Sequence, residues 1–363
     1  MRRIKIGVVG CGRISGQYLE NLVRRFPFCI EVVACADIVE AAGRARAEEF
    51  GVPRACTVEA LMADSEVEIV VNLTAPAAHF EVSEAALSCG KHVYVEKPFT
   101  ITRDEGLKLL KQAAGSDLRI GGAPDTFLGA GLQTCRKLID DGWIGAPVAA
   151  LALMATGGGR LNYYRDYRGP AYDMGPYYLT ALVTLLGPVT RAAGVTTIPF
   201  PERRHLDPKD PEFGATYQVE IPSTIQGVME FAGGVTATIT TISEASGYFP
   251  RLEIYGTDAV LTCNDPNGFG GPVYLQPRGG ERREMPLLPG YKEANRGLGV
   301  ADMAAAIQSG RPHRASGELC YHVLDIILAL HDSSRSGRHV ELESRVDRPA
   351  PFLQSPTGSG LLE

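Results

Sequence analysis

The chain has 363 residues, with 36 Lys and Arg against 42 Asp and Glu and a net charge of −6; this is too long for one simple core and offers no basic surplus for nucleic acid. Hydrophobic residues at 45% and charged residues at 21% exclude disordered and fibrous classes. No apolar run reaches the roughly 18 residues that cross a bilayer, and the eight cysteines include no C-x-x-C pair, so they read as small buried hydrophobes of a reducing compartment.

A cytoplasmic protein is expected. The basic start, Met1-Arg-Arg, runs at once into a stretch broken by Lys5, Gly7 and Gly10, with no small-residue cleavage site. Residues 4–9 are a β-branched apolar run, Gly10-Cys-Gly12 interrupts it, and helical spacing follows from Gln17. The alternation continues with strands at 30–36, 69–73, 92–95 and 119–121 and helices at 41–50, 79–89 and 103–114. Such alternation predicts an α/β class with an N-terminal Rossmann-type doubly wound parallel sheet. A helix over 128–141 closes this half.

Beyond Pro147 the pattern changes to strands in hairpin order, at 148–154, 223–231, 235–243, 251–255 and 259–263, followed by helices at 300–309 and 318–333. This predicts a C-terminal α+β domain on a mainly antiparallel open sheet. The expected division is 1–124, 125–347 and a Pro-, Gly- and Ser-rich tail, 348–363. One sheet face is left without cover, which points to a homodimer or homotetramer through that sheet.

The glycine turn sits where a strand hands over to a helix, the context in which it is informative. Gly10 suits the tight turn, and Gly12 lets the backbone approach a pyrophosphate. Arg13 and Ile14 then lead into a helix N-terminus with orphan N–H groups. Ser15 replaces the third glycine, with Gly16 beside it. Asp37, 25 residues beyond Gly12, suits the ribose 2′-OH and would repel a 2′-phosphate. NAD is favoured; Arg13, Arg44 and Arg46 leave NADP open. The competing reading is a tight turn and a helix cap without a ligand.

Glu96-Lys97-Pro98 ends a parallel strand, the rim where open α/β sheets bind ligands. By itself the pair also reads as a surface ion pair before a turn. The Lys97-Pro98 bond is a candidate for the cis form. With Thr74-Ala-Pro76, His79, Asp37 and the glycine turn, the run Gly90-Lys-His-Val-Tyr-Val-Glu-Lys-Pro98 resembles the glucose-fructose oxidoreductase / inositol dehydrogenase (Gfo/Idh/MocA) family over nearly the whole chain. The resemblance implies that Thr74, Pro76, His79, Glu96 and Lys97 line the cofactor, and that Lys97 bonds to the hydroxyl or carbonyl being transformed. An ammonium there stabilises a developing alkoxide, and its pKa falls on desolvation.

In Asp173-Met-Gly-Pro-Tyr177 the aspartate suits the N-cap of a helix, and the tyrosine four residues on lies on the same side. Without the first half of the chain, this reads as a capped helix with core tyrosines. Many members of the resembled family carry histidine where Tyr177 stands. The tyrosine form resembles glucose-fructose oxidoreductase and the dimeric dihydrodiol dehydrogenases, which implies a proton-transferring phenol. A phenol with an ordinary pKa of about 10 is a poor base, and a neighbouring ammonium would lower it.

The expected mechanism has Tyr177 and Lys97 sharing the hydroxyl proton as hydride leaves the carbinol, with Asp173 orienting substrate and lysine. Arg160, Asn162 and Tyr163, in a glycine- and aromatic-rich loop, suit a sugar, although the loop reads equally as a solvated surface; Asp125 is a weaker substrate candidate. His92, His322 and His331 read as structural, and no pair of histidines has metal-helix spacing. The expectation is an NAD(P)-dependent oxidoreductase of a sugar, cyclitol or related polyol. Its competitors are a redox-neutral NAD-dependent glycoside-cleaving enzyme and a non-catalytic sugar or nucleotide sensor.

Overall fold

The computed structural model describes residues 2–157, 169–206, 208 and 212–352. The chain forms two compact units, but they are interleaved in sequence: the first comprises residues up to Gly129 together with Pro289–Tyr321 and Phe352, the second Ala130–Leu288 and His322–Pro351. The single division expected near residue 124 is therefore corrected. The chain returns to the first unit because buried groups there need partners that only the later segment supplies. Asn21 Nδ2 donates to the carbonyls of Ala294 and Arg296. Asp125 Oδ2 accepts the N–H groups of Gly297 and Gly299, and within the later segment the fully buried Asp302 pairs with Arg314 at 2.6 Å and Arg311 at 2.7 Å. No local pattern announces such pairings.

The first unit is built on six parallel strands, β1 (Ile4–Val9), β2 (Ile30–Ala36), β3 (Arg54–Cys56), β4 (Ile69–Asn72), β5 (His92–Val95) and β6 (Ile120–Gly122), in the order β3-β2-β1-β4-β5-β6. Strand order reverses between β1 and β4, which opens a ligand-binding crevice at their carboxyl ends. The connecting helices are α1 (Ser15–Arg24), α2 (Glu40–Phe50), α3 (Val58–Ala63), α4 (His79–Ser88) and α5 (Arg103–Gly115). The near-continuous burial of β1, β4 and β5 is what covering helices on both faces produce. β3 and α3 were not expected; β3 has only three residues, two of them exposed, so it carries little apolar signal.

The second unit contains helices α6 (Ala130–Asp140), α7 (Pro170–Asp173) and α8 (Gly175–Leu186). It also holds a nine-stranded sheet of β7 (Pro147–Ala155), β8 (Val189–Thr197), β11 (Thr224–Phe231), β12 (Thr236–Ile242), β13 (Phe249–Gly256), β14 (Ala259–Thr262), β15 (Tyr274–Pro277), β16 (Arg283–Glu284) and β17 (Val340–Glu341), ordered β16-β15-β14-β13-β7-β12-β11-β8-β17. A separate pair is formed by β9 (Glu202–Arg204) and β10 (Thr216–Gln218). The sheet is mainly antiparallel, as expected, with one departure: β7 lies between β12 and β13 and pairs parallel with β12. The long connection from Ala155 to Thr236 provides the crossover that a parallel pair requires.

One face of the sheet buries Ala152, Ile225, Met229, Ala237, Ile239, Leu252 and Ile254. The helix Gly317–Ser336 approaches closely where the sheet carries glycine: a Cβ on Gly227 would stand 2.3 Å from Leu330 Cδ2. Ser333 and Ser334 of this helix accept the N–H groups of Gly194 and Thr196, covering part of the β8 edge. His322 is fully buried, accepts the Val189 N–H at 3.0 Å, and burial lowers its pKa to about 4. Among the described residues no helix is long and apolar enough to cross a membrane.

Candidate active site

The first unit places its site residues at the carboxyl rim of the sheet. Gly10 follows β1 with φ of +95°, and a Cβ there would fall 2.6 Å from the backbone of Leu73 and Thr74; only glycine makes this turn. Gly12 is different. A Cβ on it meets nothing within 4 Å, so neighbouring protein atoms do not require glycine, and the backbone stays bare toward open space. Ile14, flanking α1, provides no side-chain cap, and the first turn holds no acidic residue, which leaves N–H groups and dipole available to an anion. Arg13 is exposed and Ile14 half-buried. Ser15 is buried and its Oγ donates to the Gly12 carbonyl at 2.6 Å.

Asp37, at the end of β2, accepts the Cys11 N–H at 2.7 Å and the Val39 N–H at 2.8 Å. One bond on each oxygen fixes the carboxylate and leaves each a further acceptor position. Two cations that kept NADP open have acidic neighbours: Arg46 pairs with Glu49 at 2.5 Å, and Arg44 lies 3.9 Å from Glu40.

After β4, Thr74 Oγ1 donates to Asn72 Oδ1 at 2.6 Å, and Pro76 is buried at the start of a short 3-10 turn. His79, 1% exposed, has Nδ1 2.6 Å from the Pro98 carbonyl and Nε2 3.0 Å from that of Thr74. Glu96 is buried; its Oε1 accepts Tyr18 O–H at 2.8 Å and its Oε2 accepts the Lys97 N–H at 2.9 Å. His79 and Glu96, expected at the cofactor, are thus both buried and bonded to the main chain that follows β4 and β5. Lys97 is half-buried, and the Lys97-Pro98 bond is cis.

Asp125, the weaker substrate candidate, is buried behind the last strand of the first sheet. It is 1% exposed and its Oδ2 accepts the N–H groups of Gly297 at 2.8 Å and Gly299 at 3.0 Å, which anchors the start of the helix Leu298–Ser309. Burial pushes its pKa up to about 6, against the opposing effect of those N–H groups. Sequence reasoning missed two supporting residues, Tyr18 and Asn72. Tyr18 was legible only as an apolar helix position, and Asn72 only as the end of a strand.

In the second unit Asp173 and Tyr177 are both buried. Asp173 does not cap α8, contrary to expectation. Pro170 opens a separate helical turn, so Asp173 already lies inside α7, and Met174 stands at the flank of α8 without a side-chain cap. A capping residue needs a non-helical backbone. Met174 has φ −107° and ψ −25°, so the path stays helical and residues 173 and 177 remain about one turn apart. Arg160, Asn162 and Tyr163 lie outside the described residues.

Residues 4–121 match an oxidoreductase-family domain described as an NAD-binding Rossmann fold, and residues 132–262 match the GFO/IDH/MocA C-terminal domain. The chain belongs to the Gfo/Idh/MocA oxidoreductase family. It is 28% identical over 201 residues to a Schizosaccharomyces pombe protein named an uncharacterized oxidoreductase, a match of 52% of this chain and 53% of that one. The chain thus spans about half the length of the first curated relative it matches. A longer match, 27% over 317 residues and 85% and 86% of the two chains, is to dTDP-3,4-didehydro-2,6-dideoxy-alpha-D-glucose 3-reductase of Streptomyces violaceoruber. Among solved structures, levoglucosan dehydrogenase in complex with NADH and L-sorbose superposes with a TM-score of 0.83 at 17% identity, covering 94% of this chain and 99% of that one; this likeness shows the fold alone.

Asp37, at the end of β2 with an acceptor position left on each oxygen, is the expected partner of an adenosine ribose. Asp37→Asn keeps size and one acceptor oxygen but removes the charge. A hydrogen bond to a charged group contributes about 1.5–3 kcal/mol, so the ratio of kcat/KM with NAD to that with NADP should fall about 10- to 100-fold. An unchanged ratio would remove Asp37 from the ribose site.

Proposed function

We propose that this chain is an NAD-dependent oxidoreductase that moves hydride between the cofactor and a secondary hydroxyl, or the corresponding ketone, of a sugar, cyclitol or related polyol. The observation that carries the reading is the bare Gly12 backbone, with the fixed Asp37 carboxylate and the Lys97 turn on the rim of the same sheet. Gly10, Gly12, Arg13, Ile14, Asp37 and Thr74 would hold the dinucleotide. When bound, nicotinamide supplies the hydride acceptor or donor.

The protein's own groups manage the oxygen and its proton. The Lys97 ammonium donates to the substrate oxygen and stabilises negative charge as the C–H bond breaks. Tyr177 exchanges the hydroxyl proton as general base in oxidation and general acid in reduction. Asp173, one turn before it, orients the substrate through its carboxylate. Arg160, Asn162 and Tyr163 remain candidate sugar contacts. The name of one matched relative, the deoxyglucose 3-reductase, supports a carbohydrate substrate.

The test is formation of NADH from NAD or NADPH from NADP, followed by absorbance, against sugars, inositols and glycosides, after assaying the purified protein for retained nicotinamide. Net NADH from a polyol supports the proposal. Release of sugar from a glycoside without net NADH would establish redox-neutral cleavage, and ligand binding without turnover a sensor.

Self-association through the open face of the second unit's sheet belongs to the same proposal. Val195, Val228 and Phe249 stand on that face 62%, 47% and 56% exposed. Apolar side chains in this arrangement favour a self-complementary contact. Val228→Lys is expected to reduce the solution mass measured by light scattering to that of one chain; an undiminished assembly would place the interface elsewhere.

A further inference from the structure

His79 opens α4 and touches two loops at once. Thr74, whose carbonyl lies 3.0 Å from Nε2, follows β4; Pro98, whose carbonyl lies 2.6 Å from Nδ1, follows Lys97 at the end of β5. The last ladder bond between these strands is Glu96 N–H to the Asn72 carbonyl at 2.9 Å. Beyond it both loops leave the sheet, and backbone carbonyls there need other partners. We propose that His79 is a positioning residue for Lys97, a buried strut that fixes the lysine turn against the β4 rim, rather than a ligand of the cofactor. The proposal rests on the reading of Lys97 as the group that holds the substrate oxygen.

The strut is itself anchored. Asn72, fully buried, donates from Nδ2 to the His79 carbonyl and to Ser83 Oγ, both at 3.0 Å, while its Oδ1 accepts the Thr74 N–H and Oγ1–H. All four hydrogen-bonding positions of the amide are occupied, so the His79 backbone is held as firmly as its ring. On the other side of the turn, Glu96 Oε2 accepts the Lys97 N–H, and Tyr18 from α1 braces Oε1. The main chain around Lys97 is therefore gripped before the residue by a carboxylate and after it by an imidazole.

Burial lowers the His79 pKa; the two carbonyls and the Glu96 carboxylate oppose this, and the Lys97 ammonium reinforces it. A neutral ring has one proton for two carbonyls, and the shorter contact, to Pro98, is the one we assign it to. The contact to Thr74 becomes a hydrogen bond only on protonation.

The experiment compares His79→Phe, His79→Gln, His79→Asn, Lys97→Met and the His79→Phe/Lys97→Met double variant of the full chain. Each is assayed for turnover of the best substrate from the panel and for NADH affinity by fluorescence, with thermal melting to confirm folding. His79→Phe should lower kcat about 10- to 100-fold, the scale of a misplaced reacting group, with NADH affinity changed less than about threefold. His79→Asn, whose amide nitrogen stands on Cγ as Nδ1 does, should recover most of the loss. His79→Gln, whose amide reaches instead to the position of Nε2, should not. The double variant should be no slower than Lys97→Met.

A fall in NADH affinity matching the fall in kcat would overturn the strut in favour of a cofactor ligand. So would equal activity of the Gln and Asn variants, a comparison that stands if the Phe variant fails to fold. An inactive Lys97→Met beside a fully active His79→Phe overturns the strut alone. A fully active Lys97→Met overturns the lysine reading and the strut with it.

Discussion

Lys97→Met is expected to lower kcat by about 10²- to 10³-fold, the range measured when one preorganised donor to a developing oxyanion is removed. Methionine keeps an unbranched chain of similar length and changes only the end group. The bond from the Lys97 N–H to Glu96 and the contact from His79 to the Pro98 carbonyl involve main-chain atoms, so the turn is preserved. NADH affinity, measured by fluorescence, should therefore change less than about threefold, because the interaction is made chiefly in the transition state. A kcat within threefold of the parent would show that the lysine plays no part in the chemistry.

Tyr177→Phe is the second large effect. Loss of a positioned general acid–base group costs about 10²- to 10⁴-fold, and phenylalanine keeps the ring that α8 buries. The pH dependence separates this from a packing defect. As a general base the phenol must lose its proton, so oxidation by the parent should accelerate as pH rises through the phenol pKa; the Phe variant should lose that limb. A pH profile identical in shape, merely scaled down, would mean that another group carries the proton.

Much of the dinucleotide half is legible in sequence because its signals are local. The turn at Gly10 needs a positive φ that glycine alone tolerates well, and the β-branched runs of β1, β2 and β4 announce buried parallel strands. What stayed hidden depends on partners distant in the chain. Asp125 reads in sequence only as a residue following a strand, while its carboxylate accepts from Gly297 and Gly299, more than 170 residues away. Tyr18 is periodic with the apolar face of α1, and nothing near it in sequence foretells Glu96. Asp173 looked like a cap because aspartate favours that position, but Pro170 starts the helical path three residues earlier. The parallel placement of β7 beside β12 follows from a crossover whose length, not composition, permits it.

The interleaving of the two units has a consequence for how the protein is made. A ribosome delivers residues in order, and proteins with sequentially separate domains complete the first while the rest is still being synthesised. Here that route is closed. The Rossmann half lacks the acceptors for Asn21, the donors for Asp125 and the whole Asp302 cluster until the stretch ending at Tyr321 has emerged, and the other half waits for the stretch that follows. Neither core is thus complete before residues 289–351 have emerged, and until then each nascent chain carries two incomplete folds.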